Sequence, residues 1–128
     1  MESLIKSLWV GLGAFLGGIA RFWIGEILRN SSNSFPWSTF GINVVGSLLI
    51  GSFYAWELKS NPASAYRLFF AVGICGGFTT FSTFSWETLR LMEKGQWIQA
   101  VTYAVASVLL TVAACAGGFY LTRLAISG

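Results

Sequence analysis

Residues 95–122 read GQWIQAVTYAVASVLLTVAACAGGFYLT, 28 positions without a charged side chain. A helix needs about 20 mostly apolar residues to cross the hydrocarbon core of a bilayer. This run is long enough to span. Working outward from it, three more uncharged runs follow: 19 residues from Leu68 to Trp86, 27 from Asn30 to Trp56 and 14 from Ser7 to Ala20. The last is short, and reaches spanning length by continuing past Arg21 to about Leu28. Leu8 to Ile19 has the length of a signal-peptide core. Glu2 in place of a basic start, and the apolar continuation Phe22-Trp23-Ile24, favour a span instead. The expectation is one transmembrane domain over residues 1–128, an all-α membrane protein with four spans at about 4–28, 37–57, 66–92 and 97–123.

The composition agrees. Of 128 residues, 55% are hydrophobic and 10% charged, against about 25% charged in an ordinary soluble domain. Pro36 and Pro62 fall between spans, where they cost no helix hydrogen bond. The six tryptophans, Trp9, Trp23, Trp37, Trp56, Trp86 and Trp97, lie towards span ends, as in an interfacial aromatic belt. The chain has no Asp and no His, so no His-based triad or His-ligated zinc site can be written from it. No matched acid–base pair points to an enzyme. Cys75 and Cys115 sit singly inside apolar runs and read as small buried hydrophobes. The eight basic residues are scattered singly, which suits lipid headgroups rather than nucleic acid.

Those charges scarcely choose an orientation. Lys6, Lys59, Arg67 and Arg123 fall on one side; Arg29, Arg90 and Lys94 fall on the other, with Arg21 nearby. The positive-inside rule needs an excess. An even count leads to dual topology, in which the chain inserts both ways and pairs as an antiparallel dimer.

Polar residues inside spans need protein or water around them. Thr39, Asn43 and Ser47 recur every four residues in the second span, as do Tyr103, Ser107 and Thr111 in the fourth. Each stripe suits either a wet path or hydrogen bonding between helices. The third span is richer: Gly73-Ile74-Cys75-Gly76-Gly77-Phe78-Thr79-Thr80-Phe81-Ser82-Thr83-Phe84-Ser85 packs five hydroxyls into its last seven residues, behind three glycines. The glycines weaken a helix, so a break is expected near Gly76-Gly77. Broken backbone at membrane depth survives only in protein or beside water, and such breaks recur at ion sites. Freed carbonyls suit a cation; a half-helix N-terminus, hydroxyls, the Asn43 amide and the ring edges of Phe78, Phe81 and Phe84 suit an anion. These groups leave the sign of the ion open. Glu26, Glu57 and Glu87 lie near span ends, which argues against proton coupling. Arg21 is the one deep charge, placed to snorkel or to cap a vestibule.

The residues from Gly76 to Ser85 resemble the third-helix signature of the Fluc (CrcB) fluoride channels. Gly13 to Phe22 resembles that family's first-helix motif, and Thr39 to Gly46 its second-helix motif around a central Asn. Gly41 and Ser38 depart from that pattern. The likeness spans nearly the whole chain. It implies an antiparallel dual-topology homodimer with two fluoride pores in a bacterial inner membrane, giving passive exit of fluoride. Phe81 and Phe84 would line the pores by their ring edges, Asn43 would donate to fluoride, and Thr39, Tyr103, Ser107, Thr80 and Ser82 would complete the path. The backbone carbonyls of Gly76 and Thr79 from both subunits would hold a structural Na+ on the dimer axis. Arg21 would sit at a pore entrance. The competing expectation is a small proton-coupled multidrug exporter, which needs an acid within the first span, where only Glu26 is on offer.

Overall fold

The computed structural model describes residues 1–29 and 35–128; the loop expected at Asn30 to Ser34 lies outside them. Helix α1 is Glu2–Leu28 and α2 is Trp37–Ser60. The third span, Ser64–Glu93, is interrupted. Its first half, α3, covers residues 64–78, of which Arg67–Cys75 is wound as a π-helix. Its second half, α4, is Phe81–Glu93, and α5 is Trp97–Ser127. The described residues form helices and turns without a strand, and four spans are long and apolar enough to cross a membrane.

The turns follow local chemistry. Asn61 takes a left-handed conformation (φ 45°) after α2, and its N–H donates to the Glu57 carbonyl at 2.8 Å. This is the usual way to stop a helix before a proline, here Pro62. Arg67 then donates to the Glu57 carboxylate at 2.6 Å, tying the start of α3 to the end of α2. Gly95 (φ 76°) turns the chain between α4 and α5.

Small residues decide which helices meet. A Cβ at Gly13 would lie 2.9 Å from Gly73 Cα, and one at Gly17 would lie 2.8 Å from the Phe78 nitrogen. A Cβ at Gly77 would meet Ala14 Cα at 2.9 Å. So α1 and α3 run parallel with their backbones in contact, the close approach that small residues allow in membranes. Gly51 packs the same way on Cys115, and Gly118 on Leu48, while Ser52 donates to the Gly118 carbonyl at 3.3 Å. Near the start of the same two helices Thr39 and Tyr103 share the Glu87 carboxylate, so with Gly51 on Cys115 α2 and α5 are also parallel, offset by about 64 positions in the numbering. Cys75 is buried as expected; Cys115 is half-buried, because its backbone rather than its side chain makes the contact with Gly51. Apolar side chains such as Leu12, Phe15, Leu109 and Leu121 point outward, the reverse of a soluble bundle.

The packing reading has a matched test. Gly17→Ala adds a methyl where backbone already sits; Gly18→Ala adds one where nothing lies within 4 Å. We expect Gly17→Ala to lower the thermal transition of the detergent-solubilised protein, an overpacking cost of about 1–3 kcal/mol. Gly18→Ala should leave it unchanged or raise it slightly. Equal transitions would show that α1 and α3 do not pack as described.

Candidate functional site: the break in the third span

The break falls three residues later than the glycines suggested. Gly76, Gly77 and Phe78 are helical, and the chain turns extended at Thr79 (ψ 156°) and Thr80 (φ −150°). The reason is packing: Gly77 lies against Ala14, so the glycines serve helix contact. What ends the helix is a set of competing partners for the backbone.

Asn43 is the chief of these. Its Nδ2 donates to the Thr80 carbonyl at 3.0 Å, and its Oδ1 accepts the Thr80 N–H at 2.9 Å. That N–H would otherwise close a helical turn on Gly76. The Thr80 hydroxyl accepts the Thr83 N–H at 3.2 Å and so caps α4. That second N–H would otherwise bond Thr79. The carbonyls of Gly76 and Thr79 thereby lose their helical donors. Arg21 takes a third orphan: its Nε donates to the Gly77 carbonyl at 3.1 Å. Arg21 thus sets a positive charge against the negative end of α3. Gly46 completes the arrangement, since a side chain there would strike Thr79.

Two grooves meet at the break. One, of about 530 Å³, is lined by Asn43, Ser47, Gly76, Thr79, Thr80 and Phe81, with Tyr54 and Thr111 further along. The other, of about 410 Å³, holds Arg21, Glu26, Thr39, Thr80 and Thr83. Thr80 and its cap therefore stand between them. Phe81 is 78% exposed and its ring centroid lies 5.4 Å from that of Phe84. Phe84 in turn packs on Tyr103 at 5.0 Å. Ser82 lies 3.3 Å from the Thr80 hydroxyl.

The two polar stripes separate. Asn43 pairs with backbone at the break. Thr39 donates to the Glu87 carboxylate, and the fully buried Tyr103 hydroxyl lies 3.4 Å from its other oxygen. Thr111 turns back to the Ser107 carbonyl at 2.6 Å. The Ser107 hydroxyl is buried without a partner. Of the expected path, Asn43, Thr80 and Phe81 share a groove, while Thr39, Phe84 and Tyr103 gather around Glu87 or beside it.

Glu87, which the sequence places near a span end, has a role that the linear reading did not find. It is half-buried and holds two hydroxyls. Its spacing contained the signal. Thr80, Thr83, Phe84, Glu87 and Leu91 recur at three or four residues, one face of α4. Glu26, by contrast, pairs with Arg29 at 3.2 Å at the end of α1. Among the described residues no group of acidic or thiol side chains is placed to hold a metal. A metal at the break would have to use backbone oxygens, and the freed Gly76 and Thr79 carbonyls are of the hard-oxygen type that alkali and alkaline-earth cations take.

The clamp predicts a stability effect. Asn43→Ala leaves both polar groups of the Thr80 backbone without their partner, a loss of about 1–3 kcal/mol. Thr80→Val removes the cap of α4, a loss of about 1 kcal/mol, whereas Thr80→Ser retains it. Thermal melts followed by helical circular dichroism should rank wild type and Thr80→Ser together, Thr80→Val lower and Asn43→Ala lowest. A wild-type melt for Asn43→Ala would remove the clamp from the account.

The chain also has close relatives. The family model described as CrcB-like protein, Camphor Resistance (CrcB), matches residues 8–119. Fluoride-specific ion channel FluC 1 of Nitrobacter hamburgensis is 44% identical over 118 residues, 91% of this chain and 94% of its own length. Fluoride-specific ion channel FluC of Caulobacter sp. is 42% identical over 123 residues, covering 94% of this chain and 96% of its own. The protein of the same name from Phocaeicola vulgatus is 37% identical over 124 residues, covering 96% and 100%. The matched stretch takes in α2, both halves of the third span with its break, and most of α1 and α5, and on that extent of similarity this multi-pass membrane protein belongs to the CrcB family.

Proposed function

We propose that the chain is a fluoride-selective channel that lets fluoride leave the cytoplasm passively, and not an enzyme. The observation that carries this reading is the capped start of α4 beside Asn43, in a chain whose relatives are named fluoride-specific channels. A half-helix N-terminus attracts an anion, and the groups around it are neutral donors: the Thr80, Ser82 and Thr83 hydroxyls and the Asn43 amide. The Asn43 nitrogen carries two N–H groups, and only one is needed for the Thr80 carbonyl. The other is free to meet fluoride. Phe81 and Phe84 would present the positive edges of their rings. Thr39, Tyr103 and Ser107 would continue the path, with Arg21 at its entrance. Neutral donors suit conduction, because a site that binds too tightly holds its ion.

The assembly we propose is an antiparallel homodimer of dual topology in a bacterial inner membrane, with two pores. The even charge count and the outward apolar surface support it. The Gly76 and Thr79 carbonyls fit a structural sodium ion, two from each subunit; the ion would supply the positive charge that holds four inward carbonyls together. An exporter reading finds no support: the acid it needs in the first span is Glu26, already paired with Arg29.

Two experiments test this. Liposomes holding only the purified protein should release fluoride, read by an electrode, while chloride loaded in parallel stays inside. Phe81→Ile and Phe84→Ile should each cut that flux at least about tenfold without loss of the folded protein, as should Asn43→Asp, whose added charge repels the anion. Normal flux in both Phe variants would end the ring-edge mechanism. Topology is tested separately: reporters active on opposite sides of the membrane, fused to the C-terminus, should both give signal. A signal from one side alone would overturn dual topology and leave the channel reading standing.

A further inference from the structure

The five glutamates of the chain are all engaged. Glu2 pairs with Lys6, Glu26 with Arg29, Glu57 with Arg67, and Glu93 with Arg90, while Glu87 holds Thr39 and Tyr103. Arg21 is committed to the Gly77 carbonyl. Among the described residues, this leaves Lys59, Lys94 and Arg123 without a carboxylate.

Two of these three are brought together by the fold. The parallel register that sets Gly51 against Cys115 advances by the same step to Lys59 and Arg123, one on each helix. Both line a single groove of about 420 Å³ at the C-terminal ends of α2 and α5. Ser127 adds a hydroxyl there, and Leu58, Phe119 and Ile126 supply apolar wall. The Arg123 guanidinium lies 6.0 Å from the centre of the ring of Phe119, which lines the same groove. Lys59 is in the last turn of its helix, where the dipole favours a cation. Arg123 lies a turn further in, so the helix end alone does not account for it.

We propose that this groove binds the headgroup of an anionic phospholipid, its phosphate between Lys59 and Arg123 and an acyl chain along the Leu58, Phe119 and Ile126 wall. The charge is complementary, and the groove joins two cations to an apolar wall at the C-terminal ends of two spans. Basic clefts between transmembrane helices take such headgroups. A soluble anion would use the two cations but would have no need of the apolar wall.

Native mass spectrometry of the whole protein in neutral detergent tests this. The probes are palmitoyl-oleoyl phosphatidylglycerol, the matching phosphatidylcholine, and inorganic phosphate. Wild type should retain phosphatidylglycerol in preference to phosphatidylcholine. Lys59→Gln with Arg123→Gln should weaken that retention about 25-fold, near fivefold for each cation. The exchange of Lys59→Arg with Arg123→Lys should restore it, and Lys94→Gln, an unpaired cation outside the groove, should not affect it. Helical circular dichroism reports whether each variant is folded. Equal retention of the two lipids, or unchanged retention by the double variant, would overturn the proposal. Displacement of phosphatidylglycerol by millimolar phosphate would also overturn it, in favour of a site for the free anion.

Discussion

The rest of the structure depends on one exchange of hydrogen bonds, in which the Asn43 side chain takes both polar groups of the Thr80 backbone. A helix cannot stop inside a membrane unless its orphaned groups find partners, since no water is there to accept them. Asn43 supplies two partners at once, Thr80 caps the next half-helix, and Arg21 closes the Gly77 carbonyl. The consequence is directional. Donors are diverted from Gly76 and Thr79, so two carbonyls are left on one side of the break while a helix N-terminus opens on the other. The features proposed to serve a cation and an anion arise from the same exchange.

That exchange needs the second span held close to the third, and small residues achieve this. Gly46 leaves room for Thr79, Gly77 admits Ala14, and the Gly13/Gly17 ridge seats α1 on α3. The chain is thus two parallel helix pairs, α1 with α3 and α2 with α5, each built from segments not adjacent in sequence. Lipid tails are as apolar as Leu, so the helices gain little by hiding large side chains from them. Close backbone contact and a few internal hydrogen bonds provide the specificity, and the large apolar residues are left for the outside.

The same economy explains the fate of the charges. Four of five glutamates pair with a nearby cation towards a helix end. Glu87 is the exception, held by hydroxyls from α2 and α5. It links the start of α2, the middle of α4 and the first turns of α5, and so ties the aromatic cluster of Phe84 and Tyr103 to the break above it.

Much of this was legible in the chain. Charge-free runs and the position of Pro62 locate the spans, because a bilayer core demands length and apolarity whatever the tertiary contacts. The glycines and hydroxyls of residues 73–85 mark where the third span fails, since both weaken a helix locally. The exact point of failure was not legible. It is set by Asn43, 37 residues away, and a long-range competitor for a backbone N–H leaves no local trace. Glu87 was missed for a related reason: distance from a span end is a one-dimensional measure, whereas its burial comes from two other helices. The level pairing of Lys59 with Arg123 likewise exists only once α2 and α5 lie parallel in register. Composition and periodicity settle what each segment is, through solvation and local propensity; which segments touch is settled by packing, and the working groups of this protein are made where segments touch.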